Sequence, residues 1–141
     1  MKNSECWFYV RLLGFLGIIL ASYLLYSFLF HPTIQPCSIN ASFNCDAVTK
    51  GPISTLFNIP VSLYGLIGYV CILIFSFTKN KKLLLGVATF GMLFCLRLTF
   101  IEIFMIKVIC PVCLVCQLDM LLVFLISIKL LVNKQKEGAN E

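Results

Sequence analysis

ICPVCLVCQ, residues 109–117, sets three cysteines at intervals of three inside a run that is otherwise almost wholly apolar, and LDMLLVFLISIKLLV follows it directly. The thiols therefore stand at the mouth of a membrane segment. Positions three and four apart share one face of a helix, so Cys110, Cys113, Gln117 and Cys116 fall on one stripe. A Cys-x-x-Cys pair is close enough to close a small disulfide. A helix N-terminus lowers a thiol's pKa through its partial positive charge. The bland alternative is that cysteine packs as a small hydrophobe. For Cys116 and for Cys6, Cys71 and Cys95, which lie within spans or at their boundaries, packing is the favoured reading.

The rest of the chain agrees with a membrane setting. Of its 141 residues 60% are hydrophobic and only 12% charged, where soluble domains carry roughly a quarter charged residues; mean hydropathy is +1.00. Residues 12–30 and 59–78 hold no charge, and each approaches the ~20 residues that cross a bilayer. Residues 83–106, with Arg97 and Glu102, and 110–132, with Asp119, form two further spans. The expected fold is an all-α integral membrane protein, a four-transmembrane-helix bundle with spans at about 8–30, 59–78, 83–106 and 110–132. The chain reads as one domain, 1–141, with no signal peptide and no further domain after the last helix.

Basic residues set the orientation. Lys2, Arg11, Lys79, Lys81, Lys82, Lys129, Lys134 and Lys136 share one side, against Lys50 and Lys107 on the other. Both termini are expected in the cytoplasm, and the net charge of +5 is a topology signal, with no call for nucleic acid. The loop 31–58 and the turn 107–109 then lie outside, with Cys37, Cys45, Cys110 and Cys113, where disulfides persist. In that loop Asp46 caps a short helical turn ended by Gly51 and Pro52, and the apolar patch 53–57 lies along the membrane surface. Asn58 offers a cap for the second membrane helix, near whose start Pro60 is tolerated. Gly65 and Gly68 allow close helix approach or leave room for a flat ligand, close packing being favoured. His31 reads as interfacial.

Two cysteine pairs facing one compartment form a relay by thiol–disulfide exchange. A Cys₄ zinc site is conceivable, but it explains neither the apolar setting of Cys113 nor the buried charges. Electrons arriving at Cys113 need a sink, and the pair's place in the membrane suggests a quinone. If helices 3 and 4 are antiparallel neighbours, equal depth joins positions whose numbers sum to about 216. Arg97 then lies level with Asp119, which points to a buried ion pair that fixes register. Glu102 lies level with Leu114, beside Cys113, as a proton donor or acceptor or as a hydrogen bond to a neighbouring helix.

With Cys37, Cys45, the Cys110/Cys113 pair, NCDAV (44–48) and FNIPVSLYGLIGY (57–69) in view, the chain resembles the vitamin K epoxide reductase family, in its bacterial-type quinone-linked branch. The resemblance covers nearly the whole chain. It implies a bundle surrounding a quinone of the ubiquinone or menaquinone type and capped by the first loop. It also implies a multi-pass protein of the bacterial plasma membrane. Cys113 would be the quinone-proximal thiolate and Cys110 its partner; Cys45 would exchange with Cys110, and Cys37 with an external thioredoxin-like protein, here a separate chain. The family's animal branch has a tyrosine where this chain has Gln117, and an asparagine near Val61. Gln117, Ser62 and Tyr64 are the expected hydrogen-bonding partners of a quinone carbonyl. The expected activity is thiol:quinone oxidoreduction that makes disulfides outside the cytoplasm, with no metal. Reduction of vitamin K epoxide is the enzymatic alternative. A non-catalytic membrane subunit with structural disulfides is the alternative of another class. The four-helix disulfide-forming quinone reductase of the bacterial periplasm carries its CxxC in the first external loop, an order that this chain does not share.

Overall fold

The computed structural model describes residues 3–30 and 55–139. The first helix, α1 (Asn3–Phe30), is apolar all round, as a helix facing lipid on one side and protein on the other must be. Its buried positions Trp7, Val10, Gly14, Gly17, Ala21 and Leu24 recur at steps of three and four, tracing one seam. The small residues in that seam are filled by a neighbour: a Cβ on Gly17 would collide with the ring of Tyr69, and one on Gly14 would come within 2.8 Å of Leu73 Cδ2. Glycine here lets two helices approach closely.

That neighbour is α2 (Val61–Phe77), preceded by a small antiparallel hairpin that pairs Thr55–Leu56 with Ile59–Pro60. Phe57 and Asn58 make its two-residue turn with φ of 54° and 63°. Two successive left-handed residues are the signature of a type I′ turn, whose twist matches that of the strands it joins. Asparagine adopts this conformation readily and phenylalanine does not, and Phe57 is left 87% exposed. The apolar patch expected to lie along the membrane surface thus ends as a hairpin over its described part. Asn58 is a turn residue and Pro60 occupies the N-cap position that the sequence assigned to Asn58. The expected short helix, with Cys37 and Cys45, falls on residues 31–54, outside the described residues.

A tight turn at Thr78–Asn80 leads into α3 (Lys81–Ile101), where the Asn80 side chain accepts from the Leu83 N–H at 3.4 Å and so caps the helix. α3 runs into a single π-helical turn, Glu102–Ile106, closed by Lys107 at φ 56°. The last helix, α4 (Pro111–Ala139), returns antiparallel to α3. At the far end the Arg11 guanidinium lies 4.6 Å from the centre of the Phe77 ring, a cation–π contact between α1 and α2. There too Asn3 Nδ2 donates to Glu137 Oε1 at 3.4 Å and Asn133 Nδ2 donates to Asn3 Oδ1 at 3.3 Å, joining the first turn of α1 to the last turns of α4.

The result is an all-α membrane protein. By length and apolarity α1, the continuous α3 and π segment Lys81–Ile106, and α4 are each able to cross a membrane, while Val61–Phe77 is a shorter apolar helix of 17 residues. The register sum holds for depth: Thr99 Oγ1 donates to Gln117 Oε1 at 3.4 Å, and those numbers add to 216. It fails for direction. Arg97 is exposed while Asp119 is buried, and among the described residues neither Asp119 oxygen has a hydrogen-bond partner, so the expected Arg97–Asp119 pair is not formed. Depth fixes only one coordinate of a helical residue. Arg97 is two residues from Cys95, which packs against the core, and about 200° further round the helix at 3.6 residues per turn.

Candidate functional site

Between the four helices lies a cavity of about 370 Å³ with an almost entirely apolar wall. Each helix contributes: Ala21 and Leu24 from α1, Val61, Ser62, Tyr64 and Tyr69 from α2, Phe94, Cys95, Leu98 and Thr99 from α3, and Cys113, Cys116 and Gln117 from α4. The size falls within the ~300–1,000 Å³ of ordinary ligand sites. Gly65 and Gly68 of α2 and Gly86 of α3 also line it, and among the described residues a Cβ added at any of the three would meet nothing within 4 Å. Close helix packing, the favoured reading of Gly65 and Gly68, is therefore overturned. These two glycines widen a space.

The thiol pair sits at one end. Cys110 occupies the position before α4; its carbonyl accepts from the Leu114 N–H at 3.1 Å, and its Sγ accepts from the Cys113 N–H at 3.4 Å. The sulfur thus acts as the N-cap of the helix, where orphan N–H groups and the dipole favour negative charge. Pro111 fits the first helical position because its missing N–H has no partner to lose. Cys110 is 0% exposed, packed with Leu24 and Tyr23 of α1, while Cys113 opens onto the cavity. The two residues of the motif thus face different surroundings.

Glu102 closes this end. It is 3% exposed and lines the cavity. One oxygen, Oε2, accepts from the Cys110 N–H at 3.5 Å; the other, Oε1, is buried with no hydrogen-bond partner among the described residues, and the Cys113 side chain lies within electrostatic reach of the carboxyl. The π-turn begins at this residue, and the Lys107 and Val108 N–H groups both fold back onto its carbonyl, the latter at 3.3 Å. Such turns add a residue to the helix and are frequent at functional sites; here it carries Glu102 under the first turn of α4. Nothing in the local sequence announces it.

Of the residues singled out from sequence, the structure brings Val61, Ser62, Tyr64, Glu102, Cys113 and Gln117 to the one cavity and leaves Cys110 just behind it. Cys37 and Cys45 lie outside the described residues. Gln117 is held by the Thr99 hydroxyl on Oε1 and donates from Nε2 to Met92 Sδ at 3.8 Å, while the Tyr64 hydroxyl donates to the Leu56 carbonyl at 3.4 Å. Sequence reading missed Tyr69, whose hydroxyl donates to the Cys116 carbonyl at 3.2 Å. It also took Cys71, Cys95 and Cys116 for packing alone, although all three stand on the cavity wall. Their helical spacing held no signal of it. No group of His, Cys, Asp and Glu suited to a metal ion occurs among the described residues.

A fully buried carboxylate oxygen without a partner, an apolar wall and glycines that leave space open suit a flat, largely apolar molecule with a few polar atoms. Comparison with curated proteins finds no match. The profile described as the vitamin K epoxide reductase family matches residues 8–128, a stretch that takes in most of α1, all of α2 and α3 and the cysteine-bearing start of α4. The chain belongs to the vitamin K epoxide reductase family and is a membrane oxidoreductase.

Proposed function

We propose that this protein is a thiol:quinone oxidoreductase that makes disulfides in a thioredoxin-like partner and passes the electrons to a membrane quinone. Cys37 takes electrons from the partner, Cys45 relays them to Cys110, and Cys113 faces the acceptor. The active cysteines lie on the outer side of a bacterial plasma membrane. The observation that carries the reading is the division within the CxxC pair: Cys113 lines a cavity of about 370 Å³, and Cys110 lies sealed behind it at the helix start.

The chemistry follows from what each group has to offer. Two thiols become a disulfide and release two electrons and two protons, and the quinone takes up both. The N-cap position favours a thiolate at Cys110, the sulfur that Cys45 attacks and that leaves when Cys37 closes its disulfide with Cys45. Glu102, beside both cysteines, takes a thiol proton and holds it at the cavity wall. Ser62, Tyr64 and Gln117 orient a carbonyl. Val61 and the apolar wall exclude water.

The test adds a reduced thioredoxin-like protein and a short-tailed ubiquinone to the purified chain and follows quinone absorbance. Wild type reduces the quinone, and Cys113→Ala falls to the uncatalysed background; equal rates in the two would overturn the proposal. Cys110→Ala and Cys45→Ala should accumulate a mixed disulfide with the partner, and its absence would remove the relay. General acid–base help contributes about 10²–10⁴-fold, so Glu102→Gln should slow turnover and alter its pH profile. An unchanged profile takes the proton away from Glu102.

A further inference from the structure

Glu102 is not the only carboxyl that the fold buries. Asp119 is 3% exposed, and neither of its oxygens is satisfied by a hydrogen bond. The cysteine relay makes no use of it. A carboxyl at this depth is expensive and is retained where it works. The groups that face it come from three helices: Tyr69 of α2, Cys95 of α3 and Cys116 of α4. The nearest cation in sequence register, Arg97, is turned away and exposed.

Tyr69 links this carboxyl to the cavity. Its ring is clamped against Gly17 of α1, its side chain lines the cavity, and its hydroxyl gives its one proton to the Cys116 carbonyl at 3.2 Å while standing within reach of Asp119. Cys116 follows Cys113 by three residues. The Tyr69 hydroxyl is therefore bonded to a carbonyl three residues, a rise of about 4.5 Å, further along α4 than Cys113. A 1,4-quinone carries its two oxygens at opposite corners of one six-membered ring, so groups offset along α4 in this way can serve one oxygen each.

We infer that Asp119 and Tyr69 form a second proton-delivery point, serving the far oxygen of the acceptor while Glu102 serves the near one. The inference rests on the thiol:quinone reading. Quinone reduction consumes two electrons and two protons. The electrons leave the two thiols as their disulfide forms, and the two thiol protons are released. One reaches the near oxygen through Glu102. At the far oxygen the Tyr69 proton swings from the Cys116 carbonyl to the acceptor, and the Asp119 proton replaces it on the tyrosine. Asp119 regains a proton from water before the next turnover. Each cycle thus passes one thiol proton to the acceptor, releases the other and takes one from water, so that the acceptor gains two.

The experiment uses the purified full chain with three readouts. Turnover is followed with a reduced thioredoxin-like protein and a short-tailed ubiquinone. Asp119→Asn and Tyr69→Phe should each lower kcat about a hundredfold with KM within about threefold, and the solvent deuterium isotope effect should rise as proton transfer becomes limiting. Infrared difference spectra of the quinone-free chain, wild type minus Asp119→Asn, should show a protonated-carboxyl band that shifts when quinone is added. Asp119→Leu removes a costly buried carboxyl and should raise Tm while lowering kcat. Turnover of Asp119→Asn within twofold of wild type overturns the inference. So does a spectrum without the band, or a loss of turnover that tracks a fall in Tm with no isotope effect. Failure of the wild type to reduce quinone sinks the thiol:quinone reading itself and this inference with it.

Discussion

Glycine does opposite work in two seams of this bundle. Along α1, Gly14 and Gly17 are filled by Leu73 and Tyr69 of α2, and the absent side chain is replaced by a neighbour's. On the walls shared by α2 and α3, Gly65, Gly68 and Gly86 face a void. The first seam is built for contact and the second for a guest. The residue type is the same in both, and only what stands opposite distinguishes them. One seam holds the scaffold together and the other keeps room within it.

Substitutions that add volume separate the two seams. Gly17→Val pushes atoms into the Tyr69 ring and is expected to cost about 3 kcal/mol, read as loss of folded protein in a thermal melt; a melt like wild type would show that the seam relaxes. Gly68→Leu places its side chain in open space, so Tm should hold while quinone KM rises on the order of tenfold, about 1.4 kcal/mol. An unchanged KM would mean that the acceptor lies elsewhere. Gly65→Ala meets nothing, and the better helix former should stabilise by up to about 1 kcal/mol. Gly91→Ala is the mildest: its Cβ would lie 2.8 Å from Met120 Cε, the end of a flexible side chain, and should cost under about 1 kcal/mol in the same melt.

Much of the architecture could be read from hydropathy, because a charge-free run of about twenty residues has few alternatives. The register of α3 against α4 was equally legible: antiparallel helices have the same rise per residue, so one sum of residue numbers put Glu102 beside the CxxC motif. That sum could not say which way a side chain points, and the expected Arg97–Asp119 pair failed for that reason. The hairpin before α2 was missed because Phe57 gives no turn signal, and Asn58 alone suggested a cap. The π-turn at Glu102 has no signature in an apolar helix. Gly65 and Gly68 have the same residue type as Gly14 and Gly17, and type does not report whether a neighbour fills the gap. The same holds for Cys71, Cys95 and Cys116, whose places on the cavity wall depend on helix rotations that no local pattern encodes.

The bonds that join Asn3 to Asn133 and Glu137 bring the start of α1 beside the final turns of α4. Fluorophores attached at those two ends would therefore form a short-range energy-transfer pair. Its signal would disappear when α1 peels away from α4, even if every helix kept its coil, so the order in which the bundle comes apart becomes an optical measurement.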